Sequence, residues 1–282
     1  MMKKLFYYIP LLWLIHSCLP IQTPIVPGGG GNTIKVGNKT YTLAWSDEFN
    51  YSGLPDPAKW NFETGFVRNQ EVQYYTDKRL ENCKVENGRL MITALNDSFE
   101  GHPVTSASIQ TKGIQNFKYG YIEVRAKMPH LGSGTWPAIW TLGANSDVVG
   151  WPRCGEMDIV EWTGKAPTVV LGSTFLADAN GNTNFRSFPY IISSPALVTD
   201  GFHNYAIEWD SLNVKYYFDN FNYVTYNHGD LGAVSWAALL KEHYLKLNLA
   251  MGGTIPPVGG GGDIDYAKFP YTFEIEYARY YK

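Results

Sequence analysis

Between Trp151 and Trp162 the chain sets three carboxylates, Glu156, Asp158 and Glu161, within six residues of an otherwise apolar, β-prone run, Trp151-Pro-Arg-Cys-Gly-Glu156-Met-Asp158-Ile-Val-Glu161-Trp162. Unpaired charge is expensive to bury. The segment therefore needs a sheet with one apolar face and one face open enough to hold several acids. Side chains alternate along a strand, so Glu156 and Asp158 point one way while Met157 and Ile159 point the other, toward a core. Glu161 has the wrong parity for this arrangement. One extra residue at Ile159-Val160, a β-bulge, returns it to the face of Glu156 and Asp158, so the spacing predicts a bulge.

Two plainer readings compete with a catalytic one. An acidic edge strand guards against aggregation, and clustered carboxylates also bind hard divalent cations. If the bulge forms, two long Glu side chains can lean toward one bond from either side of a short Asp. Retaining glycoside hydrolysis uses two carboxyls about 5 Å apart.

The composition fits a carbohydrate ligand. Of 282 residues 45% are hydrophobic and only 17% charged, with 9 Trp, 20 Tyr and 14 Phe, and flat aromatic faces stack on sugar rings as well as fill cores. The formal net charge is -3, or -5 without a leader holding Lys3 and Lys4. Lys and Arg are scattered, which argues against nucleic acid and against a basic membrane patch.

Residues 1–17 read as an export signal, with Lys3-Lys4 followed by a short apolar run. The ending Leu14-Ile-His-Ser-Cys18 resembles a bacterial lipobox, although His16 departs from it, and implies lipidation of Cys18. Residues 18–32, with Pro20, Pro24, Pro27 and Gly28 to Gly31, form a lipid anchor and flexible linker. Residues 33–282 are then one exported, membrane-tethered domain at the periplasmic or outer face of the outer membrane, expected as a monomer. Cys83 and Cys154 fall in different expected strands and are read as free thiols.

The body of the chain consists of short strands and turns. Alternation is clearest over 121–128, where Ile122, Val124, Ala126 and Met128 oppose Glu123, Arg125 and Lys127. Similar runs occupy 89–94, 106–111, 169–175, 205–209, 214–218, 244–250 and 273–281, and turns are expected at Glu86-Asn-Gly88, Asp178-Ala-Asn-Gly181 and Asp219-Asn220. Only 235–243 offers a helix. This pattern predicts an all-β, two-sheet antiparallel sandwich.

The run Gly155-Glu156-Met157-Asp158-Ile159-Val160-Glu161 resembles the bulged signature of glycoside hydrolase family 16, in its laminarinase-like form. Trp45-Ser-Asp-Glu-Phe49, Asn69-Gln-Glu-Val-Gln-Tyr-Tyr-Thr-Asp77, Trp136-Pro-Ala-Ile-Trp140, Phe202-His-Asn-Tyr-Ala-Ile-Glu-Trp209 and Asn248-Leu-Ala-Met-Gly-Gly253 resemble the same family, in its order. The resemblance implies a concanavalin A-like β-jelly roll with an open concave cleft. It implies Glu156 as nucleophile, Glu161 as acid/base, Asp158 as a supporting carboxylate, and no cofactor for the chemistry. It places Trp136, Trp140, Trp151, Arg153, Asn69 and Glu71 among the substrate contacts, and leaves Trp162 and Trp209 open between core and cleft. A structural calcium is implied near Glu276. The family often has a His where this chain reads Gly172-Ser-Thr-Phe175, and a Trp in place of Ile255. The expected activity is a retaining endo-β-glucanase on β-1,3- or mixed-linkage β-1,3/1,4-glucan. The competing expectations are a galactan hydrolase or transglycosylase of the same family, a non-catalytic glucan-binding lipoprotein, and a metal-dependent lectin.

Overall fold

The computed structural model describes residues 32–254 and 260–282, together with the backbone of Val26 and Pro27. The export signal, Cys18, most of the linker and Ile255 lie outside the described residues.

Two antiparallel sheets face one another. The first runs, edge to edge, Thr183–Ile191, Val169–Ala177, Glu156–Trp162, Thr135–Gly143, His243–Met251, Ser108–Gln110 and Asn61–Glu63. In the second, Thr33–Val36, Lys39–Asp47, Tyr271–Tyr281, Gly120–Lys127, His203–Trp209, Asn213–Phe218 and Phe221–Asn227 lie side by side. Arg89–Ala94 and Cys83–Glu86 extend it from the first half of Tyr271–Tyr281, and Val26–Pro27 pairs with Thr33–Val36 at its edge. Tyr74–Tyr75 and Thr105–Ser106 form a separate parallel pair.

The alternation of 121–128 is realised in Gly120–Lys127, whose Ile122, Val124 and Ala126, followed by Met128, lie in the core. Across the sandwich they share that core with Ile139, Met157, Leu245, Leu247 and Leu249, each of which gains roughly 1.5–3 kcal/mol by leaving water. Tyr121 and Glu123 are buried as well, because the hairpin of Thr33–Val36 and Lys39–Asp47 covers that stretch from outside with Ile34, Val36, Tyr41 and Leu43.

Two of the expected turns are tight two-residue hairpins with both central residues at positive φ. They are Asn87-Gly88 between Cys83–Glu86 and Arg89–Ala94, and Asp219-Asn220 between Asn213–Phe218 and Phe221–Asn227. Asn, Asp and Gly accept that conformation most readily.

The expected helix at 235–243 is corrected. Helical turns cover Ala233–Trp236 and Ala237–Leu240, but Lys241 is extended and His243 opens a core strand. The chain must leave the helix there to bring Leu245, Leu247 and Leu249 inward.

Candidate active site

The outer face of the seven-stranded sheet carries a cleft of about 730 Å³. Alternation supplies its floor. Thr135–Gly143 contributes Trp136, Ala138, Trp140 and Leu142, and His243–Met251 contributes Tyr244, Lys246, Asn248 and Ala250. The intervening Ile139, Leu245, Leu247 and Leu249 face the core.

Beside them, Glu156–Trp162 slips register by one residue. Trp140 faces Asp158, yet Ile139 faces Val160. On the other flank Ser173 faces Asp158 and Leu171 faces Glu161, so three steps along one strand match two along its neighbour. This is a bulge at the expected position. Ile159 and Val160 both enter the core with Met157 and Trp162, and Glu156, Asp158 and Glu161 all line the cleft.

The three carboxylates are 9%, 3% and 7% exposed. Trp136 Nε1 donates to Glu161 Oε1 at 3.0 Å, and Glu156 has side-chain hydrogen bonds with Asp158 and Trp151. Asp158 Oδ2 and Glu161 Oε2 are buried with no hydrogen-bond partner among the described residues, an unfavourable state for acceptor oxygens that a proton or a ligand hydroxyl relieves.

Burial raises all three carboxyls above their ordinary range, but their neighbours differ in sign. Glu156 is held back by the positive charges of Arg68 and Lys246. Asp158 is raised furthest, by burial and then by the charges of Glu156 and Glu161. Glu161 is pushed up to about 7 by burial and then by Glu156, with Glu71 adding to the repulsion. Along one strand, then, a carboxylate near two cations is followed by two carboxyls surrounded by acids. Glu156 is itself raised to about 7, so the two glutamates share a proton near neutral pH, and the cations beside Glu156 together with the acids beside Glu161 favour its residing on Glu161.

The sequence profile described as Glycosyl hydrolases family 16 matches residues 63–268. The chain belongs to this family. A β-glucanase of Rhodothermus marinus is 38% identical over 86% of this chain and 85% of its own length. The X-ray structure of the laminarinase from Rhodothermus marinus superposes with a TM-score of 0.76 at 36% identity, over 86% of this chain and 97% of that one. A non-specific endo-β-1,3(4)-glucanase of family 16, co-crystallised with 1,3-β-D-cellotriosyl-glucose, superposes with a TM-score of 0.77 at 31% identity, over 92% of this chain and 98% of that one.

Within the family 16 cleft, Trp136, Trp140, Trp151, Asn69 and Glu71 are all lining residues. Trp140 is fixed through its indole N–H to Asn248 Oδ1 at 2.7 Å, while Trp151 stands 49% exposed at the rim. Glu71 accepts from Gln73 Nε2 at 2.7 Å and from the Tyr75 hydroxyl at 3.1 Å. Arg153 is different. It is exposed, its guanidinium lies over the turn at Gly181, and it is not among the residues lining the cleft. The turn at Trp151-Pro152 separates it from the strand parity of Glu156.

Trp162 and Trp209 are core residues, with indole N–H groups donating to the carbonyls of Pro167 and Leu239 at 3.0 Å each. Cys83 and Cys154 are buried free thiols. Glu276 pairs with Arg125 Nε at 2.7 Å, and among the described residues no three His, Cys, Asp or Glu side chains gather as metal ligands. The side chains around Glu276 do not by themselves fit a calcium cage.

Among the cleft residues that the sequence does not single out, Glu63, Arg68 and Lys246 form one charged cluster. Glu63 accepts from Lys246 Nζ at 2.7 Å, from the Ser108 hydroxyl at 2.8 Å and from Arg68. Lys246 was legible. It is a charge at the same parity as Asn248 in an apolar strand, the signal that drew attention to the carboxylates.

Proposed function

We propose that this family 16 enzyme hydrolyses internal linkages of β-1,3-glucan and of mixed-linkage β-1,3/1,4-glucan with retention of configuration. The observation that carries the reading is the bulge that gathers Glu156, Asp158 and Glu161 on the cleft face, between cations at one end and acids at the other. Its relatives include the Rhodothermus marinus β-glucanase and the endo-β-1,3(4)-glucanase described above.

In the first displacement Glu156 attacks the anomeric carbon, and Glu161 gives its proton to the departing glycosidic oxygen. In the second, Glu161 takes a proton from water as that water releases the sugar from Glu156. Arg68 and Lys246 favour the ionised nucleophile, whereas Glu156 and Glu71 favour the protonated acid. Asp158, raised by burial and by its acidic neighbours so that it keeps its proton, donates a hydrogen bond to Glu156 and supports the charge that returns to Glu156 when the sugar is released. Trp140 and Trp136 supply flat faces for the sugar rings.

The test is a product profile on barley mixed-linkage glucan, laminarin, cellulose and agarose, with Glu156→Gln as control. Early release of medium-length oligosaccharides from either of the first two, initially as β-anomers and absent in the control, is expected. Glucan binding without any release would leave a binding protein in place of a hydrolase. Release from agarose alone would make the chain a galactanase.

The leader and lipobox-like sequence support export, lipid attachment at Cys18 and an outer-membrane location for a monomeric enzyme on a tether spanning 18–32. Cells fed labelled palmitate should yield labelled protein from the wild type and none from Cys18→Ala. An unlabelled wild type would remove the anchor.

A further inference from the structure

Lys246 sits where an apolar strand has no structural need of a charge. Its side chain is 3% exposed, so its desolvation is unfavourable unless the charge is used. The register puts Asp158, Trp140 and Lys246 in one row across three strands, and Glu156, Leu142 and Tyr244 in the next. Lys246 is thus a diagonal neighbour of the Glu156 row on the same face. Its ammonium lies 4.4 Å from the Trp140 ring centroid, and the Arg68 guanidinium carbon lies 5.0 Å from it. Glu63 binds both cations. Two positive charges share one counter-charge, which leaves a net positive charge beneath Trp140.

We propose that Lys246, held by Glu63 and backed by Arg68, is a positioning residue that keeps Glu156 ionised for attack by directing the excess positive charge of this cluster at it. The proposal rests on Glu156 being the nucleophile.

The other groups around Glu156 supply no net positive charge. Asp158 and Trp151 favour its ionised form through hydrogen bonds alone, and on its own strand Glu161 repels it. The Cys154 thiol before the strand is neutral, its ionisation pushed up to about 11 by burial and by Glu156 itself. The Tyr244 phenol on the facing strand is also neutral, pushed up to about 12 chiefly by burial. On the far wall Lys112 and Asp147 pair with each other at 2.5 Å. Burial and Arg68 bring the Lys246 ammonium down to about 8, which still leaves it charged throughout the acid range.

The test compares kcat/KM against pH on mixed-linkage glucan for the wild type, Lys246→Met, Lys246→Arg and Glu63→Gln. An epoxyalkyl β-oligoglucoside, which labels an ionised nucleophile, gives a second readout by its inactivation rate. Lys246→Met should move the acid limb upward by about one pH unit, roughly a tenfold loss below the limb, with the alkaline limb in place. Lys246→Arg should restore the wild-type limb. Glu63→Gln removes the counter-charge and should move it downward, which decides the matter even if Lys246→Met fails to fold. Limbs that stay put, with activity scaled equally at every pH, would reduce the cluster to a packing role and overturn the proposal. A wild type that neither hydrolyses glucan nor takes the label at Glu156 would overturn the functional reading as well.

Discussion

Glu208 offers a stability test that should leave catalysis untouched. It lies on His203–Trp209 in the sheet opposite the cleft, with its side chain 3% exposed. It accepts from Lys215 Nζ, Tyr41 OH and Tyr217 OH at 2.9 Å each, and Lys39 Nζ lies at the same distance. Burial by itself would raise this carboxyl, but hydrogen bonds from Lys39, Lys215 and Tyr41 outweigh it and hold the group at about 2 against an ordinary 4.5. Since the folded-state value is depressed, the contribution to stability is fully present above pH 4.5 and is lost as pH falls toward 2. That difference would correspond to about 3 kcal/mol at the full 1.36 kcal/mol per unit. Lys39 and Lys215 are 49% and 31% exposed, so solvent screening reduces the figure to about 1–2 kcal/mol. Glu208→Gln should therefore lower Tm at pH 7 by about 3–6 °C. The gap between wild type and variant, followed by circular dichroism, should shrink steadily between pH 4.5 and 2. Glucan hydrolysis at 25 °C should not change. A gap that keeps its size down to pH 2 would show that the carboxyl acts through shape and not charge, and would refute the reasoning.

Wild-type kcat/KM should fall on the alkaline side through about pH 7 as Glu161 loses its proton. Trp136→Phe removes the N–H that favours the charged form of Glu161, so that limb should move to higher pH; a downward move would reverse the assigned sign. Deleting Val160 removes the extra residue and restores regular alternation, which leaves Glu161 on the cleft face and Trp162 in the core, so the variant should fold and keep an alkaline limb set by Glu161; a variant that loses that limb would sink the register argument. Ile139→Ala, at a site 0% exposed between the sheets, should cost about 2–5 kcal/mol in denaturant unfolding; a loss below 1 kcal/mol would mean that the sandwich closes over the gap.

The bulge and the hairpin turns were legible because each is a local conflict with one local solution. Parity forces an extra residue between Asp158 and Glu161, and Asn87-Gly88 tolerates positive φ. The face assignments of Ile122, Val124 and Ala126 were legible for the same reason. Thr183–Ile191 and Phe221–Asn227 were not anticipated, because much of their surface is exposed and their sequences lack a clean two-residue period; Lys39–Asp47, not anticipated either, was legible in the alternation of Tyr41, Leu43 and Trp45 with Thr40, Thr42 and Ala44. Arg153 was misplaced because proximity in sequence to the carboxylates says nothing about a side chain on the turn before their strand. The Glu63, Arg68 and Lys246 cluster joins residues far apart in the chain, and only the pairing of Asn61–Glu63, Ser108–Gln110 and His243–Met251 brings them together.

The rim loop that carries Asn69 and Glu71 is fastened to the cleft floor at several points. Trp140 Nε1 donates to Asn248, whose amide donates to the Tyr75 hydroxyl, which donates to Glu71. Gln73 ties the same loop to the Met251 amide at 2.7 Å, and the Thr254 amide donates to the Asn69 carbonyl at 2.8 Å. The wall is thus already in place before a polysaccharide arrives. Little conformational entropy of the protein is lost on binding, and the ordering falls on the flexible glucan chain. Affinity should then climb in even steps with each glucose unit added until the cleft is full, and stop rising once it is.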